Sequence, residues 1–415
     1  MKNYKSFDFL NKIYFERVGG TDAELKAANL IKEEVEKLKG KAAIEEFKLP
    51  VSKVKNSKLV FDDKIEVECA GSGYSGQTPL EGVTGEFVYL GSETELKMSD
   101  LKGKIVLITN KRVPHKFYVK AVDDKAKGII LTTGDVYKDD CDLDPYINRS
   151  VDFEYGKVPT VMIRMKDAER IVEMMPKKAT LSLQTEDGEG ISHNVIAKIK
   201  GTEKTDEIIT FTAHYDSVSF SKGPYDNGTG TITLLQLFSY FMDNKPKRSL
   251  EFIWCGSEEM GLLGSKAYCS KHEKLVKEKV VLNINIDMVA VTLGYDIAVV
   301  TGSNEIVTYI NYVSKELGFP IRVSQGVYSS DSTPFADKGV PAISFARIAP
   351  RGGAVIHSHN DVIERLSEGN YIKTYTFIIS LVERWINAKV FPIKKEMPTN
   401  MCDELDYYLL RKERP

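Results

Sequence analysis

No stretch of these 415 residues stays apolar for anything like the ~20 positions that a bilayer-spanning helix needs, so no membrane partner is expected. Cysteine is scarce and odd in number: there are five, and none stands in a Cys-x-x-Cys pair, which favours reduced thiols over a disulfide framework. Charge of neither sign is in excess. The net charge of −2 leaves no broad basic face, so no nucleic-acid partner is expected. The opening segment, MKNYKSFDFLNKIYFERV, is charged at its start but lacks an uninterrupted apolar stretch of the kind a signal peptide carries. A cytoplasmic location is therefore expected, or a secreted one if a leader has been removed. Internal repeats and low-complexity tracts are also missing, and nothing in the pattern sets an oligomeric state.

What is present is an ordinary globular composition, 42% apolar and 28% charged, long enough for more than one domain. TDAELKAANLIKEEVEKLKG reads as an amphipathic helix with Thr21 or Asp22 as its N-cap and Gly40 just past its end. From about Leu49 to Glu189 the texture becomes short β-rich runs broken by Gly and Asp: KIVLIT, GIILTTG, VPTVMI, ATLSLQ. That stretch lacks the clustered ionisable groups of a catalytic site. From about Asn194 long apolar strands (NVIAKIKG, EIITFTAH, SLEFIWC, VLNINIDMV, VPAISFA) alternate with helices such as GTITLLQLFSYFMDN and YIKTYTFIISLVERWIN. Near-continuous apolar strands alternating with helices predict an α/β fold: a mixed, mostly parallel sheet with helices on both faces. The expected organisation is a discontinuous catalytic domain (1–50 and 190–395), a β-rich inserted domain (51–189) and a charged tail (396–415) that docks on the rest.

In such sheets ligands gather beyond the carboxyl ends of the strands. There this sequence places His214, Tyr215 and Asp216, then Glu258 and Glu259, then Asp287, and, after a Gly-rich loop, His357, His359 and Asp361. A turn carrying Asp226 and Asn227 lies between the first two. Singly, each has an ordinary reading: a turn Asn, a capping Asp, acids in the first turn of a helix. Jointly they supply at least two imidazoles and three carboxylates at one sheet edge, a donor set suited to Zn²⁺ and similar divalent ions. Two metal sites sharing one carboxylate need five residues, and His214, Asp226, Glu259, Asp287 and His357 are five. Glu258 is left over. Side chains at i and i+1 point apart, so one glutamate can bind metal while its neighbour exchanges a proton with water.

These motifs resemble the M28 family of zinc peptidases: AHYDSV, the Asp226 of YDNGTG, GSEEMGLLGS, the Asp287 of NIDMV, HSHND, and also SDSTPF and GVPAISF. The resemblance covers most of 190–390 and the N-terminal helix. It implies two zinc ions, His214 and Asp287 on one, Glu259 and His357 on the other, with Asp226 bridging, Glu258 as general base, and Asp216 orienting His214. It also implies a cis Asp226–Asn227 peptide. The insert resembles a protease-associated domain through LKGKIVLI, KAKGIIL and VPTVMI. Three departures stand out: Ile356 where many members have an oxyanion-stabilising Tyr, Ser332 where His is common, and a second histidine, His359. Arg347, Arg351, a tyrosine from elsewhere or the metals alone then serve the oxyanion. The expected activity is an aminopeptidase acting on peptides. The competing readings are a carboxypeptidase of the same family, a glutaminyl-cyclase-like transferase, and a non-catalytic receptor-like binding protein.

Overall fold

The computed structural model describes residues 5–137, 141–143, 147–148 and 150–413. The chain divides into two compact units: Leu49–Gly190, and a discontinuous unit of Met1–Lys48 with Ile191–Pro415.

The strands associated with the first unit are β1 (Ala42–Phe61), β2 (Ile65–Val67), β3 (Ala70–Gly71), β4 (Val83–Leu90), β5 (Lys104–Ile108), β6 (Gly128–Thr133), β7 (Thr160–Arg164) and the start of β8 (Lys178–Ile199). β4, β5, β6 and β7 lie side by side in parallel. Alternate side chains of a strand point to opposite faces, and here both faces are buried. Ile105, Leu107, Ile130, Val161 and Ile163 enter one apolar core, while Val106, Ile108, Ile129, Leu131 and Met162 enter another. That is why KIVLI and GIILTT read as continuous apolar runs rather than alternating ones.

The second unit adds β9 (Lys204–His214), β10 (Arg248–Cys255), β11 (Val280–Ile286), β12 (Tyr295–Thr301), β13 (Ile321–Gln325) and β14 (Ala342–Ile348). β10, β9, β11 and β14 form a parallel centre. The end of β8 joins β10 antiparallel, β12 joins β14 antiparallel, and β13 pairs with β12 in parallel. The sheet is thus mixed and mostly parallel. Ile209, Phe211, Phe252 and Trp254 face a core closed by the helices Asp22–Lys37, Thr229–Asp243 and Glu368–Ile386; Ile208, Ile253 and Cys255 face a smaller one with Tyr268 and Cys269 of the helix Leu263–Lys271. Thr21 is the N-cap of the first of these helices, its hydroxyl accepting the Glu24 N–H.

Among the elements of this unit with no counterpart in the sequence reading are β12, β13 and the helix Asn304–Leu317. The last ends at Gly318 in the left-handed conformation and buries Ile306, Ile310 and Val313. The tail contains a helix, Thr399–Tyr408, that seats Met401 and Leu405, the latter against Ala336 and Ala342. Among the described residues no helix is long and apolar enough to cross a membrane. All five cysteines are free.

Candidate metal centre

Parallel pairing sets the carboxyl ends of the central strands at one edge. Cys255 of β10 sits opposite His214 of β9, and Ile286 of β11 sits opposite Phe345 of β14. The chain leaves β9 at His214, β10 just before the Ser257–Glu259 turn, and β11 just before Asp287. Ser257 takes a positive φ of 52° there, which turns the chain sharply after the strand.

Asp226 comes from the turn Pro224–Gly228, entered through Gly223 at φ 48°. The Asp226–Asn227 peptide is cis, as the family resemblance implied. Two side chains fix this turn. The Asp361 carboxylate accepts the Tyr225 and Asp226 N–H groups at 3.1 and 3.0 Å. The Asn227 amide donates to the Ile286 carbonyl at 2.9 Å and accepts from the N–H groups of Gly230 and Met288. The turn is therefore tied to the end of β11, where Asp287 follows.

The two carboxylate oxygens of Asp226 face different partners. Oδ1 lies 3.2 Å from His214 Nε2, which also stands 3.5 Å from Asp287 Oδ1. Oδ2 lies 3.1 Å from His357 Nε2, itself 3.0 Å from Glu259 Oε2. His214, Asp226 and Asp287 thus form one donor cluster; Asp226, Glu259 and His357 form another; Asp226 belongs to both. Asp287 Oδ1 and Glu259 Oε1 are buried with no hydrogen-bond partner. Buried carboxylate oxygens without donors are costly, and divalent cations at these two clusters would satisfy them. The donors present therefore fit a pair of metal ions.

Glu258 differs from its neighbour. No hydrogen bond reaches its carboxylate among the described residues, and it groups with His214 and Glu259. Burial pushes its pKa well above the usual range, with Glu259, Asp331 and Asp287 adding to the rise. Its position comes from Asp216, which accepts the N–H groups of Glu258 at 3.0 Å and Glu259 at 3.3 Å while lying 3.5 Å from His214 Nδ1. The sequence reading gave Asp216 one task, behind His214; the structure gives it two.

Without cations the site keeps protons. Burial opposes a charged His357, but Glu259 and Asp226 outweigh it and raise the imidazole to about 10. Burial likewise opposes an ionised Asp226, yet its hydrogen bonds with His214 and His357 hold that carboxyl below the ordinary range.

Of the remaining sequence candidates, His359 is exposed and lies outside the donor clusters found among the described residues. Ile356 is 36% exposed and offers no hydrogen bond. Arg347 is spoken for: Nη1 is 2.6 Å from Asp296 Oδ2, and Nε donates to the Val291 carbonyl. Three residues near the site escaped the sequence reading. Tyr328 is half-buried, its phenol has no hydrogen-bond partner among the described residues, and burial together with Asp287 and Asp226 raises its pKa, so it stays a donor. Asp331 is buried, with neither carboxylate oxygen hydrogen-bonded. Arg17 lies fully buried among backbone carbonyls. Asp331 stands inside the SDSTPF motif without being singled out there, and no local pattern marks Arg17, whose partners are remote in the chain.

Fold and site together define a metal-dependent hydrolase of the zinc-peptidase type. Residues 194–382 match the family described as Peptidase family M28, so the chain carries an M28 peptidase domain. It is 28% identical to Aminopeptidase YwaD of Bacillus subtilis (strain 168) over 96% of this chain and 88% of that protein. It is 25% identical to Carboxypeptidase Q of Bos taurus over 71% and 65% of the respective lengths. Among solved structures, BSAP, a zinc aminopeptidase from Bacillus subtilis, superposes with a TM-score of 0.74 at 26% identity, covering 94% of this chain and 96% of the other.

Proposed function

We propose that this chain is a two-zinc aminopeptidase that removes the first residue of peptides. The observation that carries the reading is the shared Asp226 carboxylate, one oxygen in each donor cluster, with the unengaged Glu258 beside them. His214, Asp226 and Asp287 would hold one ion, and Asp226, Glu259 and His357 the other. Bound there, the ions lower the pKa of water and stabilise negative charge on the attacked carbonyl oxygen. Glu258 takes the proton that water loses as it attacks the carbonyl carbon of the first residue. It then delivers that proton to the departing amide nitrogen. Asp216 keeps Glu258 and Glu259 at their places through their N–H groups and orients His214. The Leu49–Gly190 unit is a protease-associated module on this reading.

The choice of peptide end rests on charge. A carboxypeptidase needs a cationic clamp for the substrate's α-carboxylate, best met by arginine. Arg347 is committed to Asp296 and the Val291 carbonyl. The surroundings of the two clusters are acidic instead, which suits a substrate's free amine. The test is one peptide in three forms: free at both ends, N-acetylated, and C-amidated. Acetylation is expected to abolish cleavage and amidation to leave it nearly unchanged. The reverse pattern would assign a carboxypeptidase and direct mutagenesis to Arg351, which is exposed on the loop before His357.

A further inference from the structure

We infer that Arg17 is a positioning residue of the metal centre, a buried fork that joins the segment carrying His214 and Asp216 to the turn carrying Asp226. Arg17 lies outside every motif that marks the site and is fully buried. Its guanidinium donates through Nε to the Tyr215 carbonyl, the peptide between His214 and Asp216. Through Nη1 it donates to the Lys222 carbonyl, and through Nη2 to the Gly223 carbonyl at 2.7 Å. Its backbone extends the tie: the Arg17 N–H donates to Ser217 Oγ at 3.1 Å, and the Ser217 N–H donates to the Arg17 carbonyl at 3.3 Å.

The Gly223 carbonyl matters most. It also accepts the Gly228 N–H at 2.9 Å, which closes the turn around Asp226 and Asn227. One guanidinium therefore fixes the carbonyl that anchors the bridging carboxylate's turn and, on its other edge, the peptide beside the first imidazole. Space is tight: a Cβ on Gly223 would stand 3.2 Å from Nη2 and 2.4 Å from the Asp226 carbonyl oxygen.

The hydrogen bonds of this guanidinium go to neutral carbonyls, also including Ile13 and Phe15, and none goes to a carboxylate. The charge is not spent on a single partner. It acts from beneath on Asp216, Asp361, Asp226 and Glu259, whose pull opposes the loss of charge that burial favours. A planar fork can reach the Tyr215 carbonyl and the Lys222 and Gly223 carbonyls together; a lysine ammonium presents a point charge on a flexible stem and cannot span both.

The inference rests on the two-metal reading of the site, and the test separates the two. Zn²⁺ affinity is measured on the full chain by competition with a chromophoric chelator, and the Co²⁺-substituted protein is examined by visible absorption. Arg17→Lys and Arg17→Met are compared with the parent, with Arg384→Lys, a partly exposed arginine paired to Glu316, as control. Both Arg17 variants are expected to bind Zn²⁺ about tenfold or more weakly, the range for removing a group that orients ligands, and to shift the Co²⁺ bands; the control is expected to match the parent. Parent-like affinity and spectrum in either Arg17 variant, whatever the fall in thermal stability, would overturn the inference. So would failure of both to fold, which would make Arg17 a folding element only. A parent protein that binds no Zn²⁺ would instead overturn the reading of the site itself.

Discussion

Asp216 Oδ1 accepts the main-chain N–H of Glu258 at 3.0 Å and lies 3.5 Å from His214 Nδ1. One side chain thus touches both the first imidazole and the glutamate turn. Asp216→Asn exchanges one acceptor oxygen for a donor and leaves an N–H of the glutamate turn facing an NH₂ group. Both metal affinity and turnover are expected to fall, affinity by about 10–100-fold as for other groups that orient ligands. Metal titration and kcat on the same preparation check this; a loss of turnover with parent-like metal affinity would deny Asp216 its hold on His214.

The adjacent glutamates should part company on mutation. Glu258→Gln is expected to keep metal and fold while kcat drops by about 10²–10⁴, the scale of a positioned proton carrier. Glu259→Ala is expected to lower the metal content toward one ion per chain, since Glu259 Oε2 lies 3.0 Å from His357 Nε2 in the cluster they share with Asp226. Metal analysis beside kinetics distinguishes them. Metal lost from the Gln variant and kept in the Ala variant would exchange their roles.

Tyr328 is the free phenol nearest in kind to the tyrosine that Ile356 replaces, and it faces the electrostatic field of Asp287 and Asp226. Tyr328→Phe is expected to reduce kcat by about 10²–10³ with little change in KM, the usual cost of removing one donor to a developing oxyanion. An unchanged kcat would leave the oxyanion to the metals.

Stability of the chelated protein should depend on pH in a definite direction. His357 sits at about 10 in the folded, metal-free site, above its ordinary 6.5. A folded-state pKa that is raised lends stability below the unfolded value and loses it as pH rises through the folded one. Burial also raises Glu259 and Asp287, which works in the same sense at lower pH. Tm of the chelated protein is therefore expected to fall between about pH 6.5 and 10, while the zinc-loaded protein, with cations in place of these protons, changes less. Thermal melts with and without chelator across that range are the check. A gap between the two that narrows toward high pH would contradict the assignment.

The donors were readable because strand ends are readable. EIITFTA, SLEFIWC and VLNINI are apolar enough over their last residues, with no charged side chain among the final four of each, that the ionisable residues after them stand out. Parallel register then does what sequence cannot state, bringing His214 and Cys255 level and Ile286 beside Phe345. The positions of β12 and β13 were not legible. β13 has no fully buried residue and is only five residues long, so the alternation in IRVSQ covers too short a run to stand out, and YDIAVVT opens with a Tyr-Asp pair that looks like a turn. Arg17 was invisible for another reason. Its partners Tyr215, Lys222 and Gly223 are brought to it only by the finished fold, and backbone carbonyls carry no residue signature.

Between His214 and His357 the chain must lay down β10, β11, β12, β13 and β14. During synthesis, then, the donors arrive one at a time, and the last imidazole emerges only when the parallel centre is otherwise complete. By the order of the chain alone, an emerging polypeptide holds His214, Asp226, Glu259 and Asp287 in turn and lacks His357 until all five of these strands have been synthesised.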